Sequence, residues 1–368
     1  MTRKKKISTA LGIYALLFLA SALTTSLIIH FIKPKPAITS PNQSIVQTPK
    51  PTPVRTDRSV LLIGYGGAGH DGGALADTLL LIRADSATKK LSFISIPRDT
   101  YVNIPTSPTT SAQDKINASY AIGIDDRKYP NKEQQYLGSI GGGNLAKFAV
   151  FQVTNLPVDY FISIDFGQFE KAIDALGGVD VEVPAAFDDK YYPVKGLENE
   201  SCGFSPEQIE EFKGKFTGFD LEKQFTCRYE EVKFDVGIAH MDGATALKFV
   251  RSRHSSANGG DFARSLRQIA VLNAIETKVI SLDALNKLPE FFKQFSGMIT
   301  TDINPEILNP TLEFLGDPGG YTKQNINLST DNVFQESRSD IGSYILIPKA
   351  GAGAWSGVQE YIMQELNK

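Results

Sequence analysis

The chain has 368 residues, enough to bury a sizeable core, and its 42% hydrophobic and 21% charged residues exclude both a disordered tail and a polytopic membrane protein. A formal net charge of −3 excludes a nucleic-acid coat protein. That average is uneven: residues 1–36 carry six Lys/Arg and no acid, so the remainder sets 32 basic groups against 41 acidic ones.

In chain order, residues 1–9 form a basic start with Arg3, Lys4, Lys5 and Lys6, and residues 10–32 are almost all apolar or small. At about 1.5 Å per residue this stretch spans roughly 30 Å of hydrocarbon and predicts one transmembrane helix. The basic end then stays cytoplasmic and the body is extracytoplasmic, anchored to the plasma membrane by a single pass. Ala20-Ser21-Ala22 leaves a cleaved signal peptide as the competing reading, but the apolar pattern runs on to Ile32 and favours an anchor. Residues 33–57, with Pro34, Pro36, Pro41, Pro51 and Pro53 among Ser, Thr, Gln and Lys, predict an extended extracytoplasmic linker.

From residue 58 to 368 the pattern is that of one exported α/β domain. Short apolar runs at Val60–Gly64, Thr78–Ala84, Leu91–Ile96, Asp159–Ile164 and Val179–Val183 predict strands of a buried sheet. Apolar spacing predicts helices at Leu145–Val153, Phe166–Leu176, Gly243–Val250 and Phe262–Lys278, the second of them ended by Gly177-Gly178. A last strand at Ser343–Ile347 and a last helix at Val358–Leu366 end the pattern. The glycine-rich loop Gly64–Gly73 lacks a Walker ending and a following helix, which excludes nucleotide binding there; His70 and Asp71 remain as contacts for a metal or substrate. Between about residues 185 and 235 the periodicity fades, predicting an insertion within the domain. Cys202 and Cys227 both fall inside it, and export makes a disulfide the expectation over two free thiols.

Two constellations carry chemistry. Asp77 precedes one strand and Pro97-Arg98-Asp99-Thr100 follows another, which puts acids and an arginine on the rim of an α/β sheet, where ligands and hard metal ions bind. Arg251-Ser252-Arg253-His254 is followed by Asp261, Arg264, Arg267 and Gln268; arginine forks match phosphate oxygens, so this cluster in an acidic body points to a pyrophosphate or other dianion. No Gly-x-Ser-x-Gly elbow and no His-Glu-x-x-His occurs, and four histidines exclude catalysis built on several imidazoles.

In serial order, Ala76-Asp77-Thr78, Ser95-Ile96-Pro97-Arg98-Asp99-Thr100, Lys115-Ile116-Asn117-Ala118-Ser119-Tyr120, Ala175-Leu176-Gly177-Gly178-Val179 and His240-Met241-Asp242-Gly243 through Gln268 resemble the LytR-CpsA-Psr family. The resemblance implies an α/β/α sandwich with a central mixed sheet behind an N-terminal anchor. It also implies a glycopolymer phosphotransferase that moves a polymer such as teichoic acid or capsule from a polyprenyl-pyrophosphate lipid to peptidoglycan, with Mg²⁺ or Mn²⁺. Carried over residue by residue, Arg98, Arg251, Arg253, Arg264, Arg267 and Gln268 bind the pyrophosphate, and Asp77 and Asp99 hold the metal. Arg98 and Asp99 are then the catalytic pair, with Asp99 or Asp77 orienting the metal or taking the acceptor's proton. Many members carry an acid in a Gly-x-Asp pattern where this chain has Gly64-Tyr65-Gly66, so that metal ligand is either missing or supplied by His70 or Asp71. Two other outcomes use the same pocket: a polyprenyl-pyrophosphate phosphatase, with water as acceptor, and a non-catalytic binder of lipid-linked polymer that regulates envelope assembly. Nucleic acid is not an expected partner.

Overall fold

The computed structural model describes residues 55–69, 72–280, 297–304, 306 and 320–368. The expected transmembrane helix and all but the last three linker residues lie outside these, as do His70 and Asp71. Among the described residues no helix is long and apolar enough to cross a membrane.

The chain runs β1 (Asp57–Tyr65), β2 (Ala76–Asp85), β3 (Lys90–Ser95), β4 (Tyr101–Pro105), β5 (Ser111–Lys115), α1 (Ala118–Ile124), α2 (Gly141–Thr154), β6 (Tyr160–Asp165), α3 (Phe166–Ala175) and β7 (Val179–Val183). It continues through β8 (Phe187–Pro193), α4 (Pro206–Lys215), α5 (Phe219–Glu222), β9 (Tyr229–Phe234), β10 (Gly237–Met241), α6 (Gly243–Arg251) and α7 (Gly260–Ile280). The last elements are β11 (Thr300–Thr301), β12 (Thr322–Asn327), β13 (Phe334–Arg338), β14 (Tyr344–Pro348) and α8 (Ser356–Leu366).

Six strands form one mixed sheet in the order β11-β6-β1-β2-β3-β12. β1 pairs antiparallel with β2 and parallel with β6, while β3 pairs antiparallel with β2 and parallel with β12. The central strands are apolar on both faces, and successive residues feed opposite cores. Val60, Leu80 and Ile82 pack under α3, α6 and α7, whereas Leu61, Ile63, Leu79 and Leu81 pack under α1, α2 and α8. The result is a three-layer α/β/α arrangement.

Close helix packing on the second face depends on glycine. A Cβ at Gly143 would stand 2.2 Å from the Phe161 ring, and one at Gly142 would stand 2.5 Å from Ile124 Cγ2, so α2 lies directly against β6 and α1.

Two expected strands sit elsewhere than in the central sheet. β7 pairs with β10 in a two-stranded ribbon, because its Val-Asp-Val-Glu-Val alternation has one face to bury and not two. β14 pairs with β13, and touches the segment just before β4 through a bridge between Leu346 and Thr100. The insertion is more regular than its sequence suggests: β8 and β9 pair at its base, and Cys202 and Cys227 are joined by a disulfide with their Cα atoms 5.5 Å apart.

Candidate active site

Strand direction gathers the chemistry at one rim. β1, β3, β6 and β12 all run the same way and end there, and antiparallel β2 begins there, so Asp77, Arg98 and Asn327 share one end of the sheet. The segment after α6 and the first turns of α7 close over that end. Between them lies a cavity of about 270 Å³ whose wall includes Asp77, Arg98, Arg251, Arg253, Arg264 and Gln268. Six of the residues expected to share a site therefore do so. The same cavity continues along an apolar surface made by Leu62, Leu80, Ile164, Phe169, Leu247 and Leu272.

Asp189 on β8 organises the arginine segment. Its carboxylate accepts hydrogen bonds from Ser252 Oγ at 2.5 Å and from the backbone N–H groups of Arg253 and His254 at 2.9 and 3.0 Å. Burial pushes the Asp189 carboxyl up, but these donors and the Tyr191 N–H outweigh it and hold the group below the usual carboxylate range. Arg251 is fixed differently. Its guanidinium lies 4.3 Å above the Phe166 ring, and its Nη1 donates to Tyr192 Oη at 3.3 Å.

Arg98 forms an ion pair with Asp77 and approaches Asp99 with Nε at 3.6 Å from Oδ2. Asp99 is not part of the cavity wall. It is 8% exposed, its Oδ1 accepts a 2.6 Å hydrogen bond from Lys115 Nζ, and its backbone carbonyl accepts from Leu346 N–H. Asp99 thus stands behind Arg98, between it and Lys115.

Arg267 also stands apart from the cavity. It is 3% exposed and outside the cavity wall, because its Nε, Nη1 and Nη2 donate to the carbonyls of Phe249, Asn258 and Ser252, and its guanidinium lies 4.4 Å from the Phe187 ring centroid. Burial depresses its pKa to about 10. It fastens the loop that carries Arg251 and Arg253. Gln268, one turn-face away, does line the cavity, with Nε2 donating to Thr78 Oγ1 at 2.8 Å. Gly64 permits that contact, since a Cβ there would stand 3.3 Å from the same Thr78 oxygen.

His254, to which no role was assigned from the sequence, is part of the cavity wall. It lines the cavity and stacks on Phe219 of the insertion with ring centroids 3.9 Å apart. Burial lowers its pKa first, Asp189 opposes this, and Arg253, Lys223 and Arg98 lower it further. Asp189, Tyr192 and Phe219 were hidden because they lie in an aperiodic stretch; the only local sign was an acid pair, Asp188-Asp189, beside Tyr191 and Tyr192.

Of the carboxylates in the wall, Asp189 is committed to the loop, leaving Asp77 facing the arginines. Among the described residues no group of three or more His, Cys, Asp or Glu side chains could hold a metal ion by itself. Mg²⁺ commonly takes one or two carboxylates, keeps water and draws further oxygens from phosphate. Asp77 fits that donor set when a phosphate is present.

The LytR_cpsA_psr family model matches residues 32–345 of the chain. The polyisoprenyl-teichoic acid–peptidoglycan teichoic acid transferase TagU of Oceanobacillus iheyensis is 28% identical over 254 residues, covering 69% of this chain and 61% of the relative. TagV of Bacillus subtilis, described as the same kind of transferase, is 27% identical over 248 residues, 67% of this chain and 49% of the relative. The chain thus matches about half to three-fifths of the length of these relatives. The crystal structure of B. subtilis TagV superposes with a TM-score of 0.54 at 21% identity, over 85% of this chain and 98% of that one, and shares the fold.

Proposed function

The chain belongs to the LytR-CpsA-Psr family, and from that premise we propose that it is a glycopolymer phosphotransferase, moving a polymer from a polyprenyl-pyrophosphate carrier to a peptidoglycan hydroxyl. One observation carries the reading: four arginines and Gln268 converge on a cavity that continues into an apolar surface. Such a cavity matches a ligand with two phosphates at one end and a hydrocarbon at the other. The relatives' description as teichoic acid transferases supports teichoic acid or a similar anionic polymer as cargo.

In this reading Arg98, Arg251, Arg253 and Arg264 neutralise the pyrophosphate, and their charge gains most as the leaving phosphate becomes more negative. The acceptor oxygen bonds to the polymer-side phosphorus. The bond from that phosphorus to the bridging oxygen breaks, the polyprenyl monophosphate leaves, and the acceptor's proton passes to the Asp77 carboxylate. Mg²⁺ or Mn²⁺, held by Asp77 with phosphate oxygens and water, would add further charge stabilisation at the phosphates. The apolar surface shields the lipid from water.

The basic start, the apolar stretch at 10–32 and the proline-rich linker support a single-pass anchor with the domain outside the plasma membrane, close to its lipid donor. Labelling of a single cysteine placed at Thr48 by an impermeant reagent in intact cells tests this topology; protection would contradict it.

Binding of a polyprenyl pyrophosphate to the full chain tests the donor site. Arg251→Ala is expected to weaken binding about 100-fold while a simple polyprenol binds poorly to both proteins. Equal pyrophosphate affinity in the variant would overturn the assignment.

A further inference from the structure

A second cavity, of about 230 Å³, lies on the other side of the wall formed by Asp77, Thr78, Arg264 and Gln268; these four residues line both spaces. Its chemistry is the reverse of the first. Among the described residues Arg264 is the only basic one in its lining, against two carboxylates, Asp77 and Asp331, so a second phosphate is disfavoured there. Hydroxyl and amide groups of Ser95, Asn327, Ser329 and Thr330 share its lining with Leu79, Ile96, Pro97, Leu328 and Leu346. Two aromatics form its rim, Phe262 at 58% exposed and Tyr344 at 39%.

The polar side of this cavity is built in advance. Asn332 ties the loop that follows β12: its Oδ1 accepts from Ser329 N–H at 2.8 Å and its Nδ2 donates to the Asn327 carbonyl at 2.8 Å. Ser329's carbonyl accepts from the N–H groups of Val333 and Phe334, and its Oγ accepts from Asp331 N–H. Across the cavity, the Ser95 and Ser265 hydroxyls are hydrogen-bonded at 2.7 Å. A fixed set of hydroxyls and amides beside flat aromatic faces suits a pyranose ring, which is polar at its edge and apolar on its faces.

We infer that this cavity binds the acceptor, an uncharged sugar unit of a glycan, and presents its hydroxyl at the shared wall, beside the phosphorus held in the first cavity. The inference rests on the phosphotransfer reading above and adds the acceptor's place and class. Asp77, common to both spaces, then lies where the incoming hydroxyl loses its proton, and Arg264 and Gln268 lie where the phosphate is attacked. The oxygen–phosphorus bond forms where the two spaces meet, beside Asp77, Arg264 and Gln268, while the bond from that phosphorus to the bridging oxygen breaks and the polyprenyl phosphate departs into the first cavity.

The test uses the full chain in two arms. In the first, transfer to a soluble peptidoglycan oligosaccharide is followed in wild type, Phe262→Ala and Thr330→Trp. Phe262→Ala is expected to raise the acceptor KM about tenfold, and Thr330→Trp, which fills the cavity, to abolish acceptor-dependent product; the donor's dissociation constant stays within about twofold in both. An unchanged acceptor KM in both variants overturns the inference and leaves the phosphotransfer reading standing. In the second arm, an N-acetylglucosamine tetrasaccharide bearing a photoreactive diazirine is cross-linked to the protein without donor. Adducts at Phe262, Tyr344 or residues 327–331 support the site even if no transfer is seen, whereas adducts confined elsewhere, or none, overturn it.

Discussion

Arg264 and Arg267 lie three positions apart on one helix, yet they face different tasks. Arg264 lines both cavities, while Arg267 spends its three nitrogens on the carbonyls of Phe249, Asn258 and Ser252. Arg267→Ala is therefore expected to cost about 3 kcal/mol or more in urea unfolding, since it orphans buried carbonyls and opens a cavity against Phe187. Arg251→Ala should leave the unfolding midpoint near that of wild type and lower turnover about 100-fold. If the two variants behaved alike, the division between holding the loop and holding the ligand would be wrong. His254 adds a pH dependence with a definite sign. Its folded pKa lies below the ordinary histidine value of 6.5, so its contribution to stability is present above about pH 6.5 and is lost as pH falls through the folded value. Between pH 7.5 and 5.5 the wild-type urea midpoint should fall more than that of His254→Phe, which keeps a ring against Phe219 and cannot take a proton. Equal slopes would contradict this.

At the scale of elements, the sequence was legible wherever burial leaves a period. Strands β1 to β3 and β6 are apolar on both faces, and helices α6 and α7 carry one apolar stripe, so runs and spacing locate them within one to three residues. β12, Thr-Lys-Gln-Asn-Ile-Asn, is an edge strand with one buried residue, and no such signal could mark it. The insertion hides its role for a related reason. It builds a small aromatic cluster of Phe204, Phe212 and Phe225, and a disulfide, in place of a periodic face. From it come Asp189, Tyr192 and Phe219, each touching a residue of the Arg251–His254 segment that the sequence did mark. The disulfide closes a separation of 25 residues, worth about 3 kcal/mol by loop entropy. The double variant Cys202→Ser, Cys227→Ser should thus be cleaved first by trypsin between Lys195 and Lys223 and should bind donor more weakly, while the central sheet remains folded. Unchanged proteolysis and donor affinity would show that the insertion is not a support of the site.

At the scale of the whole molecule, the near-neutral net charge resolves into a basic start, an acidic body and an arginine cluster enclosed by that body. Arg55, at the start of the described residues, is tied to Asp159 through both carboxylate oxygens, so the point where the linker meets the fold is fixed beside β6. In the proposed reading an acidic exterior repels an anionic polymer, and the arginines at the sheet rim would admit one charged group. That arrangement favours binding the carrier by its pyrophosphate with the polymer directed outward. The central claim is that the two cavities join a lipid-borne phosphate to a sugar hydroxyl. Its most direct test is mass spectrometry of the product formed when the full chain is given a polyprenyl-pyrophosphate-linked saccharide, Mg²⁺ and a peptidoglycan oligosaccharide labelled with ¹⁸O at its hydroxyls. The account predicts a phosphodiester that retains the label between the two saccharides, formed by wild type and lost in Arg251→Ala. A phosphorylated saccharide released with oxygen from water, at the same rate with or without the oligosaccharide, would contradict it.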